Sequence, residues 1–250
     1  MNPALRIARK EAGELVLGVR GQIWLAVTTA VLSGFSLLLV GSKELSLLDN
    51  AQVVYDMAGL VTALGALLAV IAGIDAIGGE RERGSLLPLL LAPVPRGSIL
   101  AGKLGGPVAA WGLMLALAAP YFWAVGSTGQ NLVSGMVALL VLGTPVVLGF
   151  GFLGVALGAW MQSGRTALSV ALTGLVLSAS PLLLGPSLRQ SAIGRIFDAV
   201  NPFSAALNGF DAVIIDSQGA ITQAGHAAVA VAWLALTAWA AAAAMRRVSR

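Results

Sequence analysis

Four consecutive charges, Glu80, Arg81, Glu82 and Arg83, form the densest block of ionisable chemistry in a chain that is only 10% charged. Gly84 and Ser85 follow, then Leu86-Leu87-Pro88-Leu89-Leu90-Leu91, and then Pro93, Pro95 and Arg96. Two long apolar runs flank the block, so it must be held in water by a protein otherwise committed to an apolar solvent. Charged groups can make directional, charge-assisted contacts. A leucine ridge formed by Leu86, Leu87, Leu90 and Leu91 is too apolar to be left in water and calls for a groove to fill. The two prolines stop the helix and set the angle of the chain that follows. This pattern predicts a short helix, spanning 79–97, pressed against a soluble partner.

Other chemistry is sparse. There is no cysteine, which removes disulfides, thiolate metal sites and Cys nucleophiles. One histidine, His226, excludes a multi-His metal site within one chain and reads more plainly as interfacial than as the base of a Ser–His pair. The sequence has no phosphate-binding Gly-rich loop ending in Lys-Ser or Lys-Thr, no HExxH and no GxSxG, so neither ATP hydrolysis nor hydrolase chemistry is expected of this chain. No cofactor is expected on it. Asp75 stands alone as a carboxylate inside the end of an apolar run. Such an acid is a candidate pathway residue, although it could equally reach water or pair with Arg81 or Arg83.

The elements that position these residues follow from hydropathy. Mean hydropathy is +0.89 and 58% of residues are hydrophobic, far from the composition of a soluble domain. Apolar runs at 22–41, 57–78, 104–125, 132–160, 166–184 and 225–245 each suit one membrane crossing, with a turn at Gly126-Ser127-Thr128-Gly129-Gln130-Asn131. Their continuous apolarity predicts helices rather than barrel strands. The fold class expected is therefore all-α, a single six-span domain over 1–250. Twelve of the fifteen Lys and Arg residues fall on the side of the termini; Lys43, Arg189 and Arg195 fall on the other. The positive-inside rule then places both termini, 79–103 and Arg165 in the cytoplasm of a bacterial or archaeal inner membrane. The net charge of +4 is thus a topology signal, and the lack of a basic patch interleaved with aromatics argues against nucleic acid.

Residues 1–20 predict an amphipathic interfacial helix rather than a cleavable signal. Asn2 caps it, Pro3 opens it, and Leu5, Ala8, Ala12, Leu15 and Val19 oppose Arg6, Arg9, Lys10 and Glu14. Residues 185–224 predict two short outer-face helices. One carries Leu188, Ala192, Ile193, Ile196, Phe197 and Val200; the other carries Phe203, Ala206, Leu207, Phe210, Val213 and Ile214. They are separated by Asn201-Pro202 and lie in the interface or dip into it. Asn201, Pro202, Phe203 and Phe210 are read as a gate on an exit path. Gly65, Ala69 and Gly73, and Gly154 and Gly158, have the spacing of close helix packing faces.

The segment Asp75-Ala76-Ile77, Gly79-Glu80, Gly84, Leu86, Leu89-Leu90, Pro93, Arg96-Gly97, Ile99-Leu100 and Gly102-Lys103 resembles the cytosolic loop of type-2 ABC exporter membrane subunits. Within that family it resembles the membrane subunit of the nitrous-oxide-reductase maturation transporter and its relatives. It departs at Ser85-Leu86-Leu87-Pro88, where relatives more often carry a threonine after the glycine and no proline. The resemblance covers the whole chain. It implies a coupling helix at Glu80–Leu91 that docks on a separate ABC ATPase subunit. That partner is present in two copies and binds the ATP and Mg. It also implies a second copy of this permease, seamed through the first and fifth spans. An outer-face accessory protein is a further candidate partner. The apolar tunnel favours an apolar or amphipathic cargo, or signalling to the outer face. That likeness keeps copper or sulfur delivery open, although one His and no Cys oppose tight metal ligation. A non-transporting structural or regulatory membrane protein is the alternative of a different class.

Overall fold

The computed structural model describes residues 2–41, 50–91, 93–126, 131–180 and 191–248. Lys43, Arg189, Leu188, Arg250, the 127–130 turn and the end of the fifth apolar run lie outside them, as do the side chains of Arg20, Leu87, Leu89, Leu90, Arg96, Ala192 and Ile193. The described elements are all helical. Helix α1 (Pro3–Leu17) begins as its sequence dictates: the Asn2 side chain accepts the Ala4 N–H, and Pro3 occupies the first turn. Next come α2 (Val19–Gly41) and α3 (Asn50–Ile74). The latter runs through a π-helical turn, Asp75–Gly79, into Glu80–Glu82. Short α4 (Leu86–Leu91) and α5 (Arg96–Lys103) lead into α6 (Gly105–Gly126). After α7 (Leu132–Ala138), a second π turn at Leu139–Gly143 leads into α8 (Thr144–Trp160). Then α9 (Gly164–Ala179), α10 (Ala192–Val200), α11 (Pro202–Phe210) and α12 (Ala224–Val248) complete the chain.

Five helices among the described residues are long and apolar enough to cross a membrane: 21–39, 50–82, 97–126, 132–160 and 224–247. The remaining apolar run is represented by α9, a shorter helix of 16 residues. Burial within the bundle is highest for α3 and lowest for α2. The first crossing is thus largely left to lipid or to another chain.

The core is centred on α3 and α8, which pack along much of their length, with α6 and α12 flanking them. Small residues set their separation. A Cβ on Gly73 would strike the Gly151 carbonyl, and one on Gly154 would strike the Val70 carbonyl. Hydrophobic burial does not favour helix pairing inside lipid, so backbone approach and dispersion must supply it. Gly73, Gly154 and Gly158 therefore do form a packing face. Gly65 serves a different contact, leaving room for the Trp111 ring of α6. Trp111 in turn donates to Thr144 Oγ1 at 3.0 Å, so its indole N–H is satisfied inside the bundle. On α2, Ser33 shares a 2.7 Å hydrogen bond with Tyr121 of α6.

The two expected outer-face helices differ sharply. Ile196 and Val200 leave α10 mostly exposed, as suits an interfacial helix. By contrast α11 enters the bundle. Phe203 and Phe210 have no exposed surface, and Phe203 packs against Phe150 with ring centroids 5.5 Å apart. Both residues read as gate candidates therefore stand in the core of the bundle, because a dipping helix needs apolar side chains on every face it buries. Asn201 and Pro202 make the corner between the two helices. The Asn201 carboxamide accepts the Phe203 N–H and donates to the Ser178 carbonyl at 2.8 Å, and Pro202 opens α11.

Candidate docking segment and the charge clamp beneath it

The charged block and the leucine block do not form one helix. Glu80–Glu82 is the end of α3, and a turn separates it from α4. Gly84 takes φ +73°, the Gly84 N–H bonds the Arg81 carbonyl at 3.1 Å, and the Ser85 N–H reaches back to the Glu80 carbonyl at 3.0 Å. This is the paired hydrogen-bond pattern of a glycine-terminated helix, and a left-handed residue is required at its corner. The loop does not open at Gly78-Gly79, where the sequence predicts the end of the span. The π turn carries the helix past both glycines to Gly84. Beyond the turn, Pro88 lies in the first turn of α4, where its missing N–H has no intrahelical acceptor to lose. It therefore neither breaks nor bends that helix. Pro95 precedes α5 with extended backbone, ending the loop.

All four charges of the block are engaged within the chain. Glu80 is nearly buried. Its Oε1 accepts from Lys10 Nζ at 2.8 Å, and its Oε2 lies 2.7 Å from Lys103 Nζ. Lys103 has a fully buried side chain and donates to Glu11 Oε1 at 2.6 Å. Arg81 donates to the carbonyls of Ala159 and Met161, among the carbonyls that the end of α8 leaves without helical partners. Glu82 Oε1 accepts the Gly164 N–H at 3.0 Å, satisfying an orphan donor at the start of α9. Arg83 bridges Asp75 at 3.3 Å and Glu14 at 3.6 Å. Asp75 thus pairs with Arg83 rather than Arg81.

The result is a clamp that joins α1, the end of α3, α5, the end of α8 and the start of α9. The sequence assigned Glu80–Arg83 to a partner. The structure also uses them to join five elements, burying Glu80 while Glu82 and Arg83 stay exposed. The signal that could have shown this is the set of matching charges on α1 and α5: Lys10, Glu11, Glu14 and Lys103. Their pKa values report the packing. Burial pushes the Glu11 carboxyl above the usual range, with Lys103 opposing that rise. The hydrogen bond to Glu80 lifts the Lys10 ammonium above the ordinary lysine value, against a smaller effect of burial.

The leucine ridge divides as well. Leu86 is buried in a small cluster with Ile77, Ile99, Val155 and Met245, so its expected place in a partner's groove is corrected. Leu91 is 76% exposed, and Ser85, Pro88, Pro93 and Pro95 are also exposed. The surface a partner could meet includes the tip of the segment together with the exposed Glu82 and Arg83 of its charged root, whereas Glu80 is buried. α1 lies along the same end of the bundle. Gly102 and Gly105 admit Ile7 and Ala8, while Leu5, Leu17 and Val19 stay exposed. Its stripe is thus divided between the bundle and the surroundings.

Among the described residues, no group of three or more His, Cys, Asp or Glu side chains could hold a metal ion. His226 stands on the first turn of α12 beside Gly209. What the fold and this site define is a multi-pass helical membrane protein that presents a short apolar tip from a charge-clamped end of its bundle. The family model described as ABC-2 family transporter protein matches residues 7–250, and the chain belongs to that family. A probable ABC transporter permease protein NosY from Stutzerimonas stutzeri is 37% identical over 126 residues, 47% of this chain and 42% of that protein. A protein of the same description from Pseudomonas aeruginosa is 38% identical over 120 residues, 45% of this chain and 40% of its own length. The matched region thus spans less than half the length of these relatives.

Proposed function

We propose that this chain is the membrane-spanning permease subunit of an ABC exporter in a bacterial or archaeal inner membrane, with both termini cytoplasmic. It works as a pair with a second copy and with two separate ATPase subunits that bind the ATP and Mg. The tip of α4 docks in a groove of the ATPase, and the clamp carries the resulting push into the bundle. The observation that carries this reading is the contrast within one short segment. Leu91 projects at 76% exposure beyond a root that ion pairs and hydrogen bonds fix to five elements. A stiff root and an apolar tip are what a force-transmitting contact needs. The family and the permease description of its relatives support the same reading. The largely unburied α2 supports a second copy packed beside it.

The test is pull-down of a co-expressed ABC ATPase subunit, with transport-linked ATP turnover. Leu91→Asp should abolish binding while leaving membrane insertion and thermal stability intact. Wild-type binding and turnover in Leu91→Asp would refute docking through this tip. Labelling of Ser85→Cys by an impermeant thiol reagent in intact cells would refute the cytoplasmic placement.

A further inference from the structure

An open cavity of about 430 Å³ lies at the clamped end of the bundle, between α1, α2, α3 and α9. That volume is in the range of small-ligand sites. Its lining is of two kinds. Trp24, Ile71 and Leu168 supply apolar surface; Glu11, Glu14, Asp75, Glu82 and Arg165 supply charge, with Glu11 already paired to Lys103. A wholly apolar ligand would strip water from the carboxylates without replacing it, and a wholly polar one would leave the apolar wall wet. The lining therefore selects an amphiphile. Four of those five charged groups are carboxylates, which favours a cationic group, while Arg165 offers a partner to an anionic one. Both charges in one ligand describe a zwitterion. Glu14 holds Arg83 at 3.6 Å and Lys10 at 3.5 Å, and Asp75 holds Arg83 at 3.3 Å, so these contacts are loose enough for an ammonium to share. Carboxylates accept N–H hydrogen bonds, which a primary ammonium donates and a trimethylammonium cannot; the latter is better served by an aromatic cage.

We propose that this cavity binds an aminophospholipid. The ammonium sits at Glu14 and Glu82, the phosphate at Arg165, and the acyl chains run along Trp24, Ile71 and Leu168. The charged end of a membrane bundle meets lipid headgroups at this level, so the occupant is supplied by the surrounding bilayer. The site does not depend on an ATPase contact.

The experiment uses the full chain purified without any ATPase, so its result is separate from the docking test. The protein is exchanged into nanodiscs of equal parts phosphatidylethanolamine, phosphatidylcholine and phosphatidylglycerol, extracted, and its retained lipid measured by native mass spectrometry. Phosphatidylethanolamine should be retained about fivefold over phosphatidylcholine, the scale of one or two partly exposed charge-assisted hydrogen bonds. Glu14→Gln with Glu82→Gln should erase that preference; the amide oxygen introduced by Glu82→Gln can still accept the Gly164 N–H. Arg165→Ala should lower retention of both zwitterionic lipids. Unfolding midpoints identify any variant that does not fold, and Glu14→Gln alone then stands in for the pair. Soluble phosphoethanolamine should fail to displace the lipid. Equal retention of the three lipids by the wild type would overturn the proposal. So would a preference that survives the substitutions, or displacement by the soluble headgroup.

Discussion

Lys103 offers the sharpest test of the clamp. Its side chain has no exposed surface, and its ammonium lies 2.6 Å from Glu11 and 2.7 Å from Glu80, whose side chains are 10% and 6% exposed. Lys103→Met keeps the length and apolar stem but removes the charge, taking from the nearly buried Glu11 its ion-pair partner and leaving Glu80 held by Lys10. Breaking a buried ion pair from one side costs about 3–5 kcal/mol. Replacing the whole set by neutral groups costs far less, so Lys103→Met with Glu11→Gln should recover about half or more of the loss. Acid should also rescue the single variant. Burial already raises the Glu11 pKa, and removing Lys103 removes what opposes that rise. An acid with a raised folded pKa binds its proton more tightly when folded, so stability grows as pH falls through that value. The assay is reversible unfolding in detergent at neutral and mildly acidic pH, with limited proteolysis in α1 as a local readout. A Lys103→Met protein within about 0.5 kcal/mol of wild type, or one destabilised further by mild acid, would refute the clamp.

The two leucines of α4 should separate fold from docking: Leu86→Ala should cost about 2–5 kcal/mol in unfolding measurements because its side chain is buried in the chain's own cluster. Leu91→Ala, at 76% exposure, should leave stability within about 0.5 kcal/mol. Gly154→Ala should cost about 1–3 kcal/mol by forcing α8 away from Val70 of α3, seen as a lowered unfolding midpoint with membrane insertion retained. Lys10 gives an alkaline signature. Its raised pKa means that its contribution is fully present below the ordinary lysine value and is lost as pH rises through the folded value. Protease access to α1 should therefore stay flat through neutral pH and rise only in strong alkali. Lys10→Arg, which stays charged there, should remove that rise.

Composition alone selects the solvent. A chain with 58% hydrophobic residues, no cysteine and an uncharged stretch from Leu104 to Gly164 can satisfy its backbone only as helices in lipid. Residue order also sets the local punctuation: Asn2 capping α1, Asn201-Pro202 turning α10 into α11, and the end of α6 at Gly126. These are short-range effects, readable because each depends on a few neighbouring residues. What the charges and leucines do is settled by packing. Glu80 reads as exposed because four adjacent charges beside an apolar run suggest water. Its partners, Lys10 and Lys103, lie 70 and 23 residues away in the chain, and nothing local announces them. Leu86 and Leu91 are alike in sequence and opposite in burial, because only one meets α8, α5 and α12. Phe203 and Phe210 suit a helix that lies in the interface or one that dips into it, and the packing of α11 places both inside the bundle. Hydropathy reports how apolar a face is, and a membrane bundle offers two apolar surroundings, lipid and protein, that it cannot tell apart. Only the packed arrangement of helices chooses between them.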